Sequence, residues 1–181
     1  MLRIRLLHWR GNAEVALGDF ANAVESYTAM LTLPYPDRQT IHLIEAWTGL
    51  AQGHLGVGEI ANAVACAEHV VPHLLANTLD GADYRFGLHL AIYNVLAAVD
   101  DPRAAEVLTN AVTQLSCAAS QIESAALRVS YLRNVPANAA LRQAVKVQQG
   151  KRDAVGHRQV SGYATSSFFN TGRPFLVSDT M

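Results

Sequence analysis

Several features are scarce in this chain, and each scarcity narrows what it can be. Lys and Arg number 14 against 15 Asp and Glu in 181 residues, a formal charge of −1. No overall basic field is present to hold nucleic acid or an anionic membrane, so neither is expected as a direct partner. Cysteine occurs twice, at Cys66 and Cys117, inside apolar helical patterns and without CxxC spacing. That arrangement suggests two reduced core thiols and no metal or redox pair. Arg3, Arg5 and Arg10 break up the N-terminal stretch before any apolar run reaches signal-peptide length. Nor does any later run approach the roughly 18 apolar residues of a membrane span, so a cytoplasmic location is the expectation. The phosphate-cradling GxxxxGK[ST] loop and the His-Glu-x-x-His order of zinc hydrolases are both missing.

What is present is an apolar half, 50% of the residues, with only 16% charged. That is enough to bury a core in a single domain. Within it one stretch occurs twice, 40 residues apart: Gly18-Asp19-Phe20-Ala21-Asn22-Ala23-Val24 and Gly58-Glu59-Ile60-Ala61-Asn62-Ala63-Val64. A duplication at that period, lying between apolar helical patterns, points to an all-α array of helix pairs in which each unit buries its face on the next.

The spacing predicts a first helix from about Arg3 to Leu17, closed by Gly18 in the left-handed turn. Asp19 is expected to cap a second helix, in which Phe20, Ala23, Val24, Tyr27, Met30 and Leu31 share one face. Pro34 and Pro36 stop it. The plan restarts with Ile44, Trp47, Leu50, Ala51, His54 and Leu55, turns at Gly56-Val57-Gly58, and resumes with Ile60, Ala63, Val64, Ala67, Val70 and Val71. Small Ala23 and Ala63, equivalent under the offset, allow close helix approach. Pro72 either kinks or ends the fourth helix. A third pair carries Phe86, Leu90, Tyr93 and Leu96, then Asp101 as cap, Pro102 in the first turn, and Val107, Leu108, Ala111, Val112 and Leu115. Ile122, Ala125, Val129 and Leu132 suggest a further helix, and Pro136 opens one to about Gln148, the two covering the end of the last pair. The units are thus residues 3–34, 41–78 and 82–119, with capping helices over 121–148, in a domain of residues 1–149. From Gly150 periodicity vanishes, and residues 150–181 are expected to form a mostly disordered tail.

With the repeats aligned, Trp47, Leu50, Ala51, Gly58, Ala63 and Ala67, and in the first unit Leu7, Gly11, Gly18, Ala23, Tyr27 and Pro34, fall at spacings that resemble the tetratricopeptide repeat (TPR). Both units run longer than that family's usual length of about 34 residues. Tyr93-Asn94-Val95-Leu96, the run from Asp101 to Leu108 and the run from Leu127 to Pro136 resemble the C-terminal end of TPR sensor regions in bacterial multidomain ATPase and transcription regulators. The resemblance implies antiparallel helix pairs stacked as a right-handed solenoid, and signalling through the binding of a protein, peptide or small effector. It carries over no catalytic residue and no cofactor.

In the resembled fold the first helix of each pair lines a groove. The groove positions are then Arg5, His8 and Asn12 in the first unit and Glu45, Thr48 and Gln52 in the second. Such groups suit the backbone of an extended peptide. His69 and His73 stand at a metal-binding spacing beside Glu68, but Pro72 disturbs the turn and no third ligand is evident, so ordinary surface histidines are the expectation. Ser116, Ser120 and Ser124 lack a nucleophile-elbow context. Trp9, Trp47 and Tyr27 read as core packing. The expected function is therefore a non-catalytic binding module at the end of a signalling regulator, with a free-standing TPR adaptor as the alternative and a histidine-based metalloenzyme behind both.

Overall fold

The computed structural model describes residues 2–33, 40–79, 82 and 84–163, with side chains through residue 150 apart from Thr40. Within these residues the chain is all helical. The elements are α1 (Leu2–Leu17), α2 (Phe20–Thr32), α3 (Thr40–Val57), α4 (Ile60–Glu68), α5 (Val71–Leu75), α6 (Arg85–Ala98), α7 (Arg103–Ser120), α8 (Ala125–Asn134) and α9 (Pro136–Tyr163). Two units divide the chain, Met1–Val145 and Lys146–Met181. In the first, α3 packs against α1, α2, α4 and α6, and α6 pairs with α7.

The duplicated stretch forms the same joint twice. Gly18 and Gly58 take φ of 76° and 86°, a left-handed turn that costs glycine nothing. In the first joint the Gly18 N–H donates to the Val15 carbonyl (3.1 Å) and the Asp19 N–H to the Glu14 carbonyl (2.8 Å). In the second, Gly58 donates to Leu55 (3.2 Å) and Glu59 to His54 (2.8 Å). Two otherwise orphaned carbonyls are satisfied each time, and the next helix begins at once. Asp19 does hold the N-cap position of α2, but its carboxylate makes no bond to the helix backbone. With ψ near 65° its backbone lies outside the extended region that aims a capping side chain at the free N–H groups. It accepts instead from the Asn22 side-chain amide at 2.7 Å, as Glu59 does from Asn62 at 2.9 Å. The repeated Asn thus has a side-chain role in each joint.

Ala23 and Ala63 are fully buried, and with Tyr27, Met30, Ile44, Leu50, Leu74, Ile92 and Leu96 they belong to one core cluster reaching from α1 to α7. Pro72 ends a helix instead of kinking it. α4 stops at Glu68, a turn intervenes, and the short α5 starts with the proline in its first turn, where a missing N–H is harmless. Asn110 of α7 anchors α5 by donating from Nδ2 to the Leu74 carbonyl at 3.2 Å. Asp101 accepts from the Arg103 N–H at 2.8 Å just ahead of α7, whose N-cap position is taken by Pro102 and not by Asp101 as expected. The Arg103 guanidinium also bridges Asp101 and Glu68 (Nη1 to Glu68 Oε2, 2.9 Å), tying the end of α4 to the start of α7. Hydrogen bonds from this guanidinium hold both carboxyls below their ordinary pKa.

Four expectations need correction. α8 buries no residue, and Val129 is 49% exposed; Ala137 and Leu141 at the start of α9 do the covering, Leu141 against Leu108 and Ala111 of α7. α9 runs past its expected end near Gln148 to Tyr163. Lys, Gln, Arg and Ala in that stretch are strong helix formers, so a helix needs no apolar periodicity there; residues 164–181 lie outside the described residues. Cys117 is exposed, while Cys66 is buried with its thiol pushed up by burial. Trp9, finally, is exposed and not in the core.

Candidate binding cleft

Tyr27 projects from α2 between the backbones of α1 and α3. This position requires glycine on both sides: a Cβ at Gly11 would stand 2.7 Å from the ring, and one at Gly49 would stand 2.1 Å from Cζ. The ring is 1% exposed, yet its hydroxyl crosses the helix interface and donates to Asn12 Oδ1 at 2.8 Å. Burial raises the phenol pKa far above its ordinary value, and the negative charges of Glu14 and then Glu45 raise it further. Glu14 is held in turn by Arg10 Nε at 2.7 Å and by the Ser26 hydroxyl at 2.6 Å.

From Asn12 the polar chain continues into a cleft. Asn12 Nδ2 lies 3.0 Å from His8 Nε2. An amide nitrogen only donates, so Nε2 accepts and the proton of a neutral His8 resides on Nδ1. That nitrogen faces Glu45 Oε2 at 3.8 Å, and His42 Nδ1 reaches the same oxygen at 3.2 Å. Glu45 is only 7% exposed, a buried carboxylate hydrogen-bonded to the His42 imidazole with the His8 ring nearby. The cleft beside it has a volume of about 50 Å³ and is lined by His8 and Asn12 of α1, Tyr27 of α2, Glu45, Thr48 and Gln52 of α3, and Leu88 of α6.

Five of the six groove positions read from the sequence therefore meet at one cleft, while Arg5 is exposed on α1 and does not line it. Thr48 has its hydroxyl committed to the Ile44 carbonyl at 2.8 Å. Periodicity assigns Tyr27 to the core, but nothing in the spacing shows that its hydroxyl reaches the far side of the interface. Tyr84 and Leu88 come to the cleft through the packing of α6 on α3, which no local pattern encodes. The group presents carboxylate, imidazole, amide and phenol in a volume suited to one polar side-chain head or a pair of waters.

The histidine pair is separated in its contacts. His69 stacks on Trp47 with ring centroids 4.1 Å apart, and His73 Nδ1 lies 3.1 Å from the Thr78 hydroxyl. Among the described residues no three His, Cys, Asp or Glu side chains are grouped to hold a metal ion, and no helix is long and apolar enough to cross a membrane. No family model, curated protein or solved structure matches this chain.

Proposed function

We propose that this chain is a non-catalytic, TPR-like binding module, a right-handed solenoid of helix pairs that forms the end of a longer bacterial signalling ATPase or transcription regulator. The observation that carries this reading is the outer face of α1. α2 packs on α3 through Tyr27 at Gly49, Val24 at Gly53 and Phe20 at Gly56. Forty residues earlier, the equivalents of Gly49, Gly53 and Gly56 are Trp9, Ala13 and Ala16, all exposed, and Leu6 beside them is 60% exposed where its equivalent Ala46 is fully buried. α1 therefore offers to solvent the face that α3 covers with the preceding second helix. An apolar stripe of that kind suits a partner, and the repeat register supports the second helix of a preceding unit as that partner.

The cleft supports the binding half of the proposal, because α1, α3 and α6 are the first helices of the three pairs and all contribute to it. An extended protein or peptide segment lying across these helices would insert one polar side chain beside Glu45 and Gln52. The test has two parts. The reading frame upstream of Met1 should encode a further helix pair; an in-frame stop codon directly before it would refute the end-piece assignment. Peptides selected on the purified chain from a random library should lose binding in Asn12→Ala and Gln52→Ala, and peptides indifferent to both changes would refute the cleft as the binding site.

A further inference from the structure

The joint formed at Gly18 and Gly58 has a third copy that no glycine marks. Asp100 takes φ of 52°, in the left-handed region that aspartate tolerates better than most residues. Its N–H donates to the Ala97 carbonyl at 3.3 Å, and the Asp101 N–H donates to the Leu96 carbonyl at 3.0 Å. These are the two bonds of the earlier joints, made by equivalent positions. Asp100 therefore aligns with Gly58, which sets α6 at an offset of 42 residues from α3, where the first two joints are 40 apart. With the first helices aligned in this way, bulk is exchanged between the helices that pack. Gly49, Gly53 and Gly56 of α3 lie beneath Tyr27, Val24 and Phe20 of α2, and a Cβ at any of them would collide with the side chain above it. At the aligned positions α6 carries Ala91, Val95 and Ala98. α4, the second helix packed on α6, keeps Val64 but carries Ala67 in place of Tyr27 and Ile60 in place of Phe20. Ala67 and Ala91 are 0% and 1% exposed. The first helix has gained a methyl group at the position where the second helix has given up a phenol, as close packing without voids requires.

The outer face of α1 is bulkier than either. Trp9, Ala13 and Ala16 stand where α3 has its three glycines, with Trp9 56% exposed, and Leu6, 60% exposed, stands where α3 has Ala46. On the reading of α1 as a first helix that a preceding unit covers, we infer that the helix packing on this face carries glycine or alanine at the position of Tyr27 and a residue smaller than phenylalanine at the position of Phe20. Knob and hole change sides. In the α2–α3 contact the second helix supplies the ring and the first helix the glycine; at α1 the first helix supplies the indole, so the partner must supply the gap. An indole and a phenol cannot fill one position, and forcing both into it would push the helices apart along the whole stripe. Ala13 and Ala16 each add one methyl group to a glycine position, which smaller neighbours offset. A helix shaped like α2 is thereby rejected, and Trp9 determines which kind of unit can precede this one.

An extended protein, with a copy of residues 1–40 placed ahead of Met1 of the full chain, tests this directly. The addition keeps the 40-residue register and sets the copied α2 over α1. Trp47→Phe in the full chain, with Trp9→Leu inside the copy, leaves Trp9 of the full chain as the sole tryptophan. With Tyr27→Ala in the copy, Trp9 emission should shift to the blue and its quenching by acrylamide should fall. With the copied tyrosine kept, both should stay as they are in the unextended chain. Equal burial of Trp9 beneath alanine and tyrosine, or deeper burial beneath tyrosine, would overturn the inference and leave a preceding helix as the occupant. Trp9 exposed beneath both would overturn it together with the reading of α1 as a covered first helix. The reciprocal change, Trp9→Gly in the full chain with the copied tyrosine kept, recreates the Gly49 arrangement and does not depend on how the copied pair tolerates Tyr27→Ala. Amide hydrogen exchange in residues 2–17 should then slow relative to the same extended chain with Trp9 in place, and exchange that does not slow would also overturn the inference.

Discussion

Replacing Gly49 by alanine sets two physical effects against each other with opposite signs. Helix propensity alone predicts a gain: alanine is favoured over glycine in a helix interior by about 1 kcal/mol. Packing predicts a loss. The new methyl would lie 2.1, 2.3 and 2.4 Å from three atoms of the Tyr27 ring, far inside any real contact distance. The ring has little retreat, because the α1 backbone at Gly11 lies on its other side, where an added Cβ would also stand only 2.7 Å from it, and its hydroxyl is fixed on Asn12. Overfilling a core site of this kind costs about 1–3 kcal/mol, and expelling the ring would add the loss of its burial, about 2 kcal/mol more. After subtracting the propensity gain, the net expectation is a destabilisation of about 2 kcal/mol. For a chain of this length that is a fall in Tm of roughly 4–8 °C. Thermal unfolding followed by circular dichroism, with urea unfolding beside it, measures the change. Gly150→Ala in α9, with nothing within 4 Å of the added methyl, is the control and should be neutral or stabilising. In the double variant Gly49→Ala with Tyr27→Leu, the two losses should sum to more than the measured total, since removing the ring removes the clash. A Gly49→Ala protein as stable as the parent or more so would mean that Tyr27 does not pass between the two helices, and the account of the cleft would fall with it.

Two further predictions concern pH. Tyr27 has its folded-state pKa raised above the ordinary 10.0, so its contribution to stability is complete below about pH 10 and is lost as pH rises beyond that; Tyr27→Phe should flatten this alkaline decline in urea midpoints, and an unchanged alkaline limb would contradict the burial of the phenol. Glu68 and Asp101 have folded pKa values below the ordinary 4.5 and 3.8, so their contribution is present above those values and lost as pH falls below them. Arg103→Met should remove that acid dependence and lower Tm slightly at neutral pH; because the guanidinium and Glu68 are substantially exposed, the difference should shrink in about 1 M NaCl, and a salt-independent loss would point to packing by the Arg103 stem.

The sequence alone determined whatever depends on residues close together in the chain. Apolar residues at three- and four-residue steps specify helices, and Gly18 and Gly58 specify where each first helix must turn back, because only glycine enters a left-handed turn without strain. The same periodicity placed Ala23, Tyr27 and Ala63 in the core, whereas His8, Asn12, Glu45, Thr48 and Gln52, which line one cleft, were singled out only through the resemblance. Tertiary packing decided the rest. Periodicity states which face of a helix is apolar but not whether a neighbour covers it, so Trp9 on α1 and Val129 on α8 looked like core residues and are exposed. Nor does it state the rotation of one helix against the next, which brings the Tyr27 hydroxyl to Asn12 and leaves Asn138 Oδ1 without a partner. Hydrogen bonds and cavities require atoms from separate helices to coincide within fractions of an ångström, and that coincidence exists only once the helices have packed.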